Sequence, residues 1–299
     1  MAAADRLPRK LKAHRRLVTA LARALLGAGR LAARPAFTAG GLAAPALVFA
    51  PHPDDEALGC GGTIALKAAA GAPITVVIMT DGRASHAGRI DAARLVALRR
   101  EETLNAAQCL GLRAQDVVFL DFPDHELSAH AAEAQARVAA LLAEHTPAQV
   151  YVPHRRDRLE DHVATFDIVQ AALKRHAAVV RVFEYPVWLW NTWPWTAGKP
   201  LDGPGAGARL RARLRAAHDA LSLAFGCRDV VDIRPAEARK RAAMAAYVTQ
   251  FRRPEHDPDW PVLADVSGGE FVDCFLAQTE VFRCSGAGGP ARPTAQGGA

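Results

Sequence analysis

The stretch that decides the fold reads Leu47-Val48-Phe49-Ala50-Pro51-His52-Pro53-Asp54-Asp55-Glu56. Its first residues are apolar and partly β-branched, which is typical of a buried strand, and three acids and one imidazole follow directly. Burying that much charge at the end of a strand is costly unless something compensates it, and a divalent metal is the usual compensation. A helical pattern begins directly after these acids, over residues 57–70.

A second acidic segment that contains a histidine, Asp157-Arg158-Leu159-Glu160-Asp161-His162, follows another strand-like run at 149–153. One imidazole and one carboxylate from the first segment, with one imidazole from the second, make a set of two histidines and one carboxylate. Such a set leaves coordination positions open for water and substrate, which is the arrangement of a catalytic zinc site.

Short apolar runs alternate with longer helical patterns through the first two thirds of the chain. Strands are predicted at 47–51, 74–80, 117–121, 149–153 and 179–185, and helices at 57–70, 92–110, 129–145 and 161–175. This order predicts an α/β fold, namely a doubly wound, mostly parallel, Rossmann-like sheet with helices on both faces. Helices at 209–221 and 235–251 around a short strand at 229–233 predict a smaller C-terminal α/β extension.

Polar side chains follow four of these strands at their carboxyl ends, where ligands bind in open α/β sheets. They are His52, Asp54 and Asp55 after the first strand, Asp81 after the second, Asp121 and Asp124 after the third, and His154 and His162 after the fourth. Their convergence on one edge of the sheet is a stronger signal than any one motif.

Composition divides the chain into three parts. Residues 1–44 form a basic, partly helical leader, residues 45–284 the α/β domain, and residues 285–299 a Gly/Pro/Ala-rich tail that is expected to be disordered. The leader is interpreted as a surface helix, although its basic amphipathic pattern is also typical of weak contact with an anionic membrane surface or of an oligomer partner.

Charge and cysteine content exclude several classes of protein. The leader contributes much of the net charge of +6, so the charge gives little reason to expect a nucleic-acid partner. No run of about 18 uncharged apolar residues occurs, and no membrane span is expected. Five widely spaced cysteines without a CxxC pair suit a reducing, cytoplasmic location.

The motifs together resemble a known family, the PIG-L/LmbE-like deacetylases, which are zinc-dependent N-acetylglucosaminyl deacetylases and their relatives. The matching segments are 51–56, Thr80-Asp81-Gly82, Arg99-Arg100-Glu101-Glu102 and Asp161-His162, with a later likeness over 231–250. The resemblance covers roughly residues 47–282 in order.

The resemblance implies a zinc-dependent amide hydrolase that removes an N-acyl group, most simply acetyl, from a small molecule containing an amino sugar. It implies one Zn²⁺ per chain bound by His52, Asp55 and His162, with Asp54 as the general base. Two adjacent carboxylates also suit these roles chemically, because one can bind the ion while the other accepts the proton of the attacking water.

This sequence departs from the family at the second motif. Many members have a histidine where this chain has Leu159, and that histidine is thought to stabilise the oxyanion. Leucine cannot donate a hydrogen bond, so His154, at the end of the same predicted strand, is expected to take over this catalytic role. Arg156 and Arg158 are the alternatives.

Four further residues receive predicted roles. Arg99, Asp121 and Asp124 are expected to contact the substrate, although Arg99 also suits a solvated helix charge and the two aspartates suit loop caps. Asp161 is expected to orient a metal ligand or to cap its helix. Four tryptophans between Trp188 and Trp195 suit a packed loop, or else an aromatic pocket wall or subunit contact.

Other readings of the function stay open. The same fold could serve a metal-dependent C–N hydrolase acting on a thiol-sugar conjugate or an antibiotic intermediate, or a weakly active or inactive relative with a binding role. A Rossmann nucleotide module is disfavoured, because the first turn is acidic and has no G-x-G-x-x-G motif. The sequence defines neither the substrate nor the oligomeric state, and homo-oligomers are compatible with it.

Overall fold

The computed structural model describes residues 9–31, 33–37, 39–192, 195–196 and 205–288. Within them, the strands are β1 (Arg34–Pro35), β2 (Ala46–Ala50), β3 (Ile74–Thr80), β4 (Val117–Phe122), β5 (Gln149–Pro153), β6 (Val179–Tyr185), β7 (Asp229–Asp232) and β8 (Thr279–Gly288). They form one sheet in the order β1-β7-β8-β6-β5-β2-β3-β4. Strands β2 to β6 pair in parallel, whereas β8 lies antiparallel between β6 and β7.

Helices cover both faces of the sheet. They are α1 (Arg9–Arg30), α2 (Ala39–Leu42), α3 (Asp55–Ala69), α4 (Ala92–Leu110), α5 (Ala131–His145), α6 (Glu160–Leu173), α7 (Ala206–Leu221), α8 (Glu237–Ala246), α9 (Val248–Phe251) and α10 (Glu270–Asp273). Side chains alternate along the buried strands, so that β2 sends Val48 to the face under α3 and α8 and Phe49 to the face under α5 and α6. The predicted mostly parallel α/β sheet is confirmed, and the C-terminal extension joins it through β8.

The predicted boundary at residue 45 falls inside the folded domain. Strand β1 pairs with β7, and Arg34 Nε lies 2.7 Å from Asp229 Oδ1. The buried ammonium of Lys67 donates hydrogen bonds of 2.8–3.1 Å to the carbonyls of Gly41, Leu42 and Ala44. The domain therefore begins before residue 45, because both β1 and the end of α2 supply contacts that α3 and β7 need.

The predicted disordered tail also begins too early. Strand β8 continues to Gly288, and its residue Gly286 pairs with Arg181 of β6. Backbone pairing on a sheet needs no large side chain, so a Gly/Ala-rich segment can extend a strand that its neighbour templates. The remaining residues, 289–299, lie outside the described part of the chain.

The glycines at the start of α3 serve packing. A Cβ on Gly59 would lie 2.1 Å from the Tyr185 ring, and one on Gly62 would lie 2.7 Å from Ile233. These contacts explain the glycine-rich run by close approach of the helix to β6 and to the residue after β7. The run thus has a structural reason other than phosphate binding.

Within the described residues, every helix is too short or too polar to span a bilayer. The five cysteines are free, with Cys60 and Cys227 fully buried and the other three partly buried.

Candidate active site

A cavity of about 250 Å³ opens at the carboxyl ends of the parallel strands. The loops that follow β2, β3, β4, β5 and β6 meet there, as expected at this edge of an α/β sheet. The residues that line it are His52, Asp54, Asp55, Leu58, Gly82, Ser85, Arg99, Asp124, His125, Leu159, Glu160, Asp161, Trp188, Gln250 and Leu263.

Two imidazoles converge on one carboxylate oxygen in this cavity. Asp55 Oδ2 lies 3.2 Å from His52 Nδ1 and 3.2 Å from His162 Nε2, and it also accepts the backbone N–H of His52. The buried His162 Nε2 makes no hydrogen bond to any described residue. Ligand atoms at ordinary zinc–ligand distances in a tetrahedral site lie about 3.3 Å apart, so this donor set fits a divalent cation.

The outer nitrogens of both imidazoles face carboxylates. His52 Nε2 lies 3.1 Å from Asp161 Oδ2 and 3.1 Å from Asp124 Oδ1. His162 Nδ1 lies 3.1 Å from Asp157 Oδ2. Such contacts fix the ring orientation and leave the inner nitrogens, His52 Nδ1 and His162 Nε2, free to bind a metal.

Asp157 is a site residue that the sequence analysis did not single out. It is fully buried, and it also accepts backbone hydrogen bonds from Val187, Trp188 and Leu189. It therefore links the orientation of His162 to the loop after β6. Its place five residues before His162 is visible in the sequence, but the contact with that loop is not.

The charges of this cluster favour a cation. Burial lowers the pKa of His52, but hydrogen bonds that its ring donates to the carboxylates of Asp124, Asp161 and Asp55 raise the pKa well above its usual range. Burial likewise lowers the pKa of His162, but Asp55 and Asp157 raise it to about 9. The carboxylates thus favour positive charge at the imidazole pair, and a divalent cation supplies that charge with both rings neutral.

Asp54 lies beside this cluster and faces a different partner. Its φ of 115° is rare for a residue with a side chain, and its carboxylate makes no capping hydrogen bond to α3. Asp54 Oδ2 lies 3.3 Å from Arg99 Nη2. Burial, together with the charges of Asp55 and Glu56, raises the pKa of Asp54 to about 8, although Arg99 lowers it.

Arg99 is a buried residue of the site. Only 2% of it is exposed, and it donates a short hydrogen bond to the Pro53 carbonyl. Its Nε and Nη1 make no hydrogen bond to any described residue. The interpretation of Arg99 as a solvated helix charge is therefore wrong.

Two of the three remaining predicted carboxylates line the cavity. Asp161 contacts the His52 ring and accepts the backbone N–H groups of His125 and Leu127, so it holds the loop after β4 rather than capping its own helix. Asp124 also lines the cavity.

Asp121 lies elsewhere. It is half exposed and pairs with Arg100 at 2.7 Å, outside the cavity. The β4 pairing with β3 shifts register near its end, and Asp121 has a positive φ of 57°. The expected substrate contact of Asp121 is therefore corrected to a surface ion pair.

His154 is not among the residues that line the cavity. It is fully buried, and its Nδ1 accepts a hydrogen bond from the backbone N–H of Arg156. Arg156 and Arg158 both pair with the buried Asp219 of α7. His154 therefore lies outside the cavity, and Arg156 and Arg158 are held against α7. This geometry does not support the oxyanion role expected for His154 or for either arginine.

The described tryptophans of the cluster pack against buried side chains, and one of them also lines the cavity. Trp188 lines the cavity and stacks on Phe271 at 4.8 Å between ring centroids. Trp190 and Trp195 pack against each other and are buried. Trp193 lies outside the described residues.

The His/Asp cluster could hold a divalent cation and has a further buried carboxylate beside it, an arrangement that is typical of metal-dependent hydrolases. Residues 47–173 match the sequence profile of the family described as PIG-L, GlcNAc-PI de-N-acetylase. This segment contains His52, Asp54, Asp55 and His162.

Individual relatives agree with the profile. The uncharacterized deacetylase YaiS of Escherichia coli (strain K12) is 28% identical over 148 residues, which cover 48% of this chain and 75% of YaiS. Diacetylchitobiose deacetylase of Thermococcus kodakarensis is 32% identical over 108 residues, 36% of this chain and 39% of that protein. Over residues 47–173 the chain is thus similar to the PIG-L family, and the relatives that match it carry the names of deacetylases, which hydrolyse amide bonds.

The fold is shared with solved structures as well. N,N'-diacetylchitobiose deacetylase from Pyrococcus horikoshii superposes with a TM-score of 0.51 at 20% identity, covering 81% of this chain and 83% of that chain.

Proposed function

We propose that this chain is a zinc-dependent N-deacetylase that removes an acetyl group from an amino sugar in a small molecule. The observation that carries the proposal is that Asp55 Oδ2 lies 3.2 Å from a ring nitrogen of both His52 and His162, beside the buried Asp54. Two named relatives, which act on diacetylchitobiose, support an N-acetyl amino sugar as the substrate class.

His52, Asp55 and His162 would hold one Zn²⁺ in this site. Zn²⁺, when bound, polarises the amide carbonyl and lowers the pKa of water. Asp54 accepts the proton of the attacking water as the new C–O bond forms. The same carboxyl group then returns that proton to the leaving nitrogen as the C–N bond breaks, which gives acetate and a free amine.

Further residues of the cavity would bind the sugar. Arg99 keeps two buried N–H groups available beside Asp54, and Asp124 presents a carboxylate next to His52. The indole of Trp188 offers an apolar face to a sugar ring. These three residues come from α4 and from the loops after β4 and β6.

The proposal is tested by acetate release from a panel of N-acetyl amino sugars, with the Asp54→Asn variant measured in parallel. Asp54→Asn should retain stoichiometric zinc and lose on the order of 10²–10⁴-fold in kcat, because only proton transfer is removed. Loss of zinc together with activity would instead make Asp54 a ligand. Full zinc occupancy in His52→Ala would contradict the assigned site.

A thiol-sugar conjugate and an antibiotic intermediate, added to the panel, separate the alternatives. Turnover of a thiol-sugar conjugate or an antibiotic intermediate, with none of simple amino sugars, would change the substrate class. Zinc binding without turnover of any compound would indicate a binding role, for which Leu159 in the cavity wall gives a reason.

A further inference from the structure

Exposed apolar side chains cluster on two helices, α1 and α7, that contain none of the predicted site residues. Ten large hydrophobic residues are exposed among the described residues, and seven of them lie on α1, on α7 or within a few residues of their C-terminal ends. These seven are Leu17, Leu21, Leu31, Leu210, Leu214, Leu221 and Phe225. Scattered exposed leucines need no explanation, but a cluster of them marks an interaction surface.

Helix α1 has two apolar faces. One of them is buried against the domain through Ala22 and Gly29, together with the buried polar residues Arg15 and Thr19. The opposite face is exposed and repeats at intervals of four and three residues, through Leu17, Leu21, Ala24, Ala28 and Leu31. The exposed fractions of Leu17 and Leu21 are 59% and 61%, so α1 packs on the domain with one face and presents a second apolar stripe to its surroundings.

Helix α7 repeats this arrangement. Ala216 and Ala220 are buried, whereas the opposite stripe is exposed at the same spacing through Leu210, Leu214, Ala217 and Leu221. The exposed fractions of Leu210 and Leu214 are 57% and 62%.

The two helices meet at the π-helical turn Ser222–Gly226 that follows α7. Gly29 of α1 approaches the backbone of Ala224 so closely that a Cβ would lie 2.1 Å from its carbonyl oxygen. Phe225, on the same turn, is 46% exposed. The two exposed stripes therefore end at one shared corner of the molecule.

Basic residues dominate the charges around the stripes, although Arg23 of α1 lies 3.6 Å from Glu270 of α10. Helix α1 carries no Asp or Glu and a row of basic residues that includes Arg16, Arg23 and Arg30. In α7 the exposed stripe is flanked on one side by Arg209 and Arg213 and on the other by Arg211 and Arg215. The one acid of α7, Asp219, is buried and paired with Arg156 and Arg158. The rest of the chain carries a net negative formal charge, since the total is only +6.

We propose that α1 and α7 form a docking surface for an anionic lipid bilayer. Leucines flanked by arginines on the outer side of a helix match the interfacial pattern, in which the apolar stripe enters the acyl region and the guanidinium groups reach lipid phosphates. A second copy of the chain fits less well, because arginines would face arginines across the interface. The surface uses no residue of the cavity.

The test is co-sedimentation of the full chain with vesicles of phosphatidylcholine mixed with phosphatidylglycerol, compared with vesicles of phosphatidylcholine alone. The chain should bind the anionic vesicles, bind them more weakly at high salt, and leave neutral vesicles largely unbound. The double variant Leu21→Glu/Leu214→Glu should bind on the order of tenfold or more weakly. Val179→Glu, at another exposed apolar residue, is the matched control and should bind like the unmodified chain.

Circular dichroism and acetate release should be unchanged in these variants, which separates loss of docking from loss of folding. If the unmodified chain does not bind anionic vesicles, or if the double variant binds as well as the control, the proposal is wrong. Analytical ultracentrifugation provides a further test. The proposal is also wrong if the unmodified chain is a dimer, the double variant is a monomer, and vesicles do not compete with dimer formation. The exposed stripes would then join two copies of the chain. Should Leu21→Glu/Leu214→Glu misfold, Arg16→Ser/Arg213→Ser tests the charged part of the same surface, and undiminished binding would again refute it.

Discussion

Two adjacent aspartates of the cavity have opposite electrostatic environments. Burial alone would raise the pKa of Asp55, yet the imidazoles of His162 and His52 hold it well below its usual range. Burial raises the pKa of Asp54 to about 8, and Arg99 offsets only part of this. Carboxyl groups whose pKa values are driven apart commonly divide the acid–base work of a site, which is why we assign metal binding to Asp55 and proton transfer to Asp54.

Asp157 is expected to act on the metal through His162. Asp157→Asn leaves a neutral amide at His162 Nδ1 and removes the charge that orients and polarises the ring. The zinc dissociation constant, measured by competition with a chromogenic chelator, should rise about 10–100-fold.

Asp121→Asn is the matched control for this measurement. Asp121 is also an aspartate at a strand end, but it pairs with Arg100 outside the cavity, so zinc affinity should be unchanged. Equal zinc affinity in Asp157→Asn and Asp121→Asn would mean that Asp157 only anchors the loop after β6.

The oxyanion donor should be sought among the residues that line the cavity. His125 lines it and is 68% exposed at its side chain, whereas His154 is buried elsewhere. We expect His125→Ala to lower kcat on the order of 10–10²-fold through loss of a hydrogen-bond donor. We expect His154→Ala to lower the thermal midpoint but to leave kcat within about threefold, since it removes only packing and one hydrogen bond.

Steady-state kinetics and thermal unfolding of both variants show which of the two histidines contributes to turnover. A large loss of kcat in His154→Ala, with normal kcat in His125→Ala, would restore the original assignment and would require the loop after β5 to rearrange around substrate.

The sequence was sufficient to predict the positions of site residues that directly follow a strand. It was insufficient to predict the direction of side chains that depends on residues distant in sequence. His52, Asp54 and Asp55 come together because one tight loop carries them into α3, and His162 joins them because β5 neighbours β2. The direction of His154 was not predictable in this way, because its loop is held by long-range contacts such as that of Arg156 with Asp219 of α7, over fifty residues away in sequence. No local pattern reports such contacts.

At the scale of elements, the strands of the parallel core were predictable because their apolar runs are continuous. The predicted bounds of 74–80, 149–153 and 179–185 agree with β3, β5 and β6. Strand β8 was missed, because it is half polar and ends in Ser285-Gly286-Ala287-Gly288, a composition typical of loops. Its pairing partners β6 and β7, rather than its own propensity, make it a strand.

The contact of α3 with the end of α2 should make a large contribution to stability. Lys67 is 1% exposed, and the three N–H groups of its ammonium are shared among four acceptors, namely three backbone carbonyls and Gln149 Oε1. Lys67→Met leaves these buried acceptors without their donor and should lower the free energy of unfolding by about 3 kcal/mol. Urea unfolding followed by circular dichroism measures the change.

Lys174→Met is the control for hydrophobic substitution, since Lys174 is exposed at the end of α6. Its free energy of unfolding should stay within about 0.5 kcal/mol of that of the unmodified chain. If Lys67→Met is equally mild, the buried ammonium is dispensable and methionine packing compensates for it.

At the scale of the whole molecule, the two proposed functions lie on separate surfaces. The cavity lies at the carboxyl edge of the central strands, whereas the exposed stripes lie on α1 and α7, beside the β1-β7-β8 end of the sheet. Substitutions on one surface should therefore leave the other intact, except through the loop at 154–158, where Arg156 and Arg158 contact Asp219 of α7.

Two truncations separate the parts of the basic leader. A chain of residues 33–299 loses α1 but keeps β1 and α2, so it should fold and release acetate at a rate close to that of the full chain. It should melt at a lower temperature, because the contact of α1 with the π-helical turn is lost. A chain of residues 45–299 also loses the buried Ala36 and the carbonyl acceptors of Lys67. We expect it to be insoluble, since buried groups on α3 would lose their partners.

The comparison distinguishes a removable helix from an integral strand. Acetate release and thermal midpoints of the two truncated chains, purified side by side, are the measurements. An active 45–299 chain would show that the domain folds without residues 33–44. The boundary that composition predicts at residue 45 would then be correct. An inactive but soluble 33–299 chain would show that catalysis requires α1. Since α1 lines no part of the cavity, its effect on turnover would then act through the π-helical turn on which it packs.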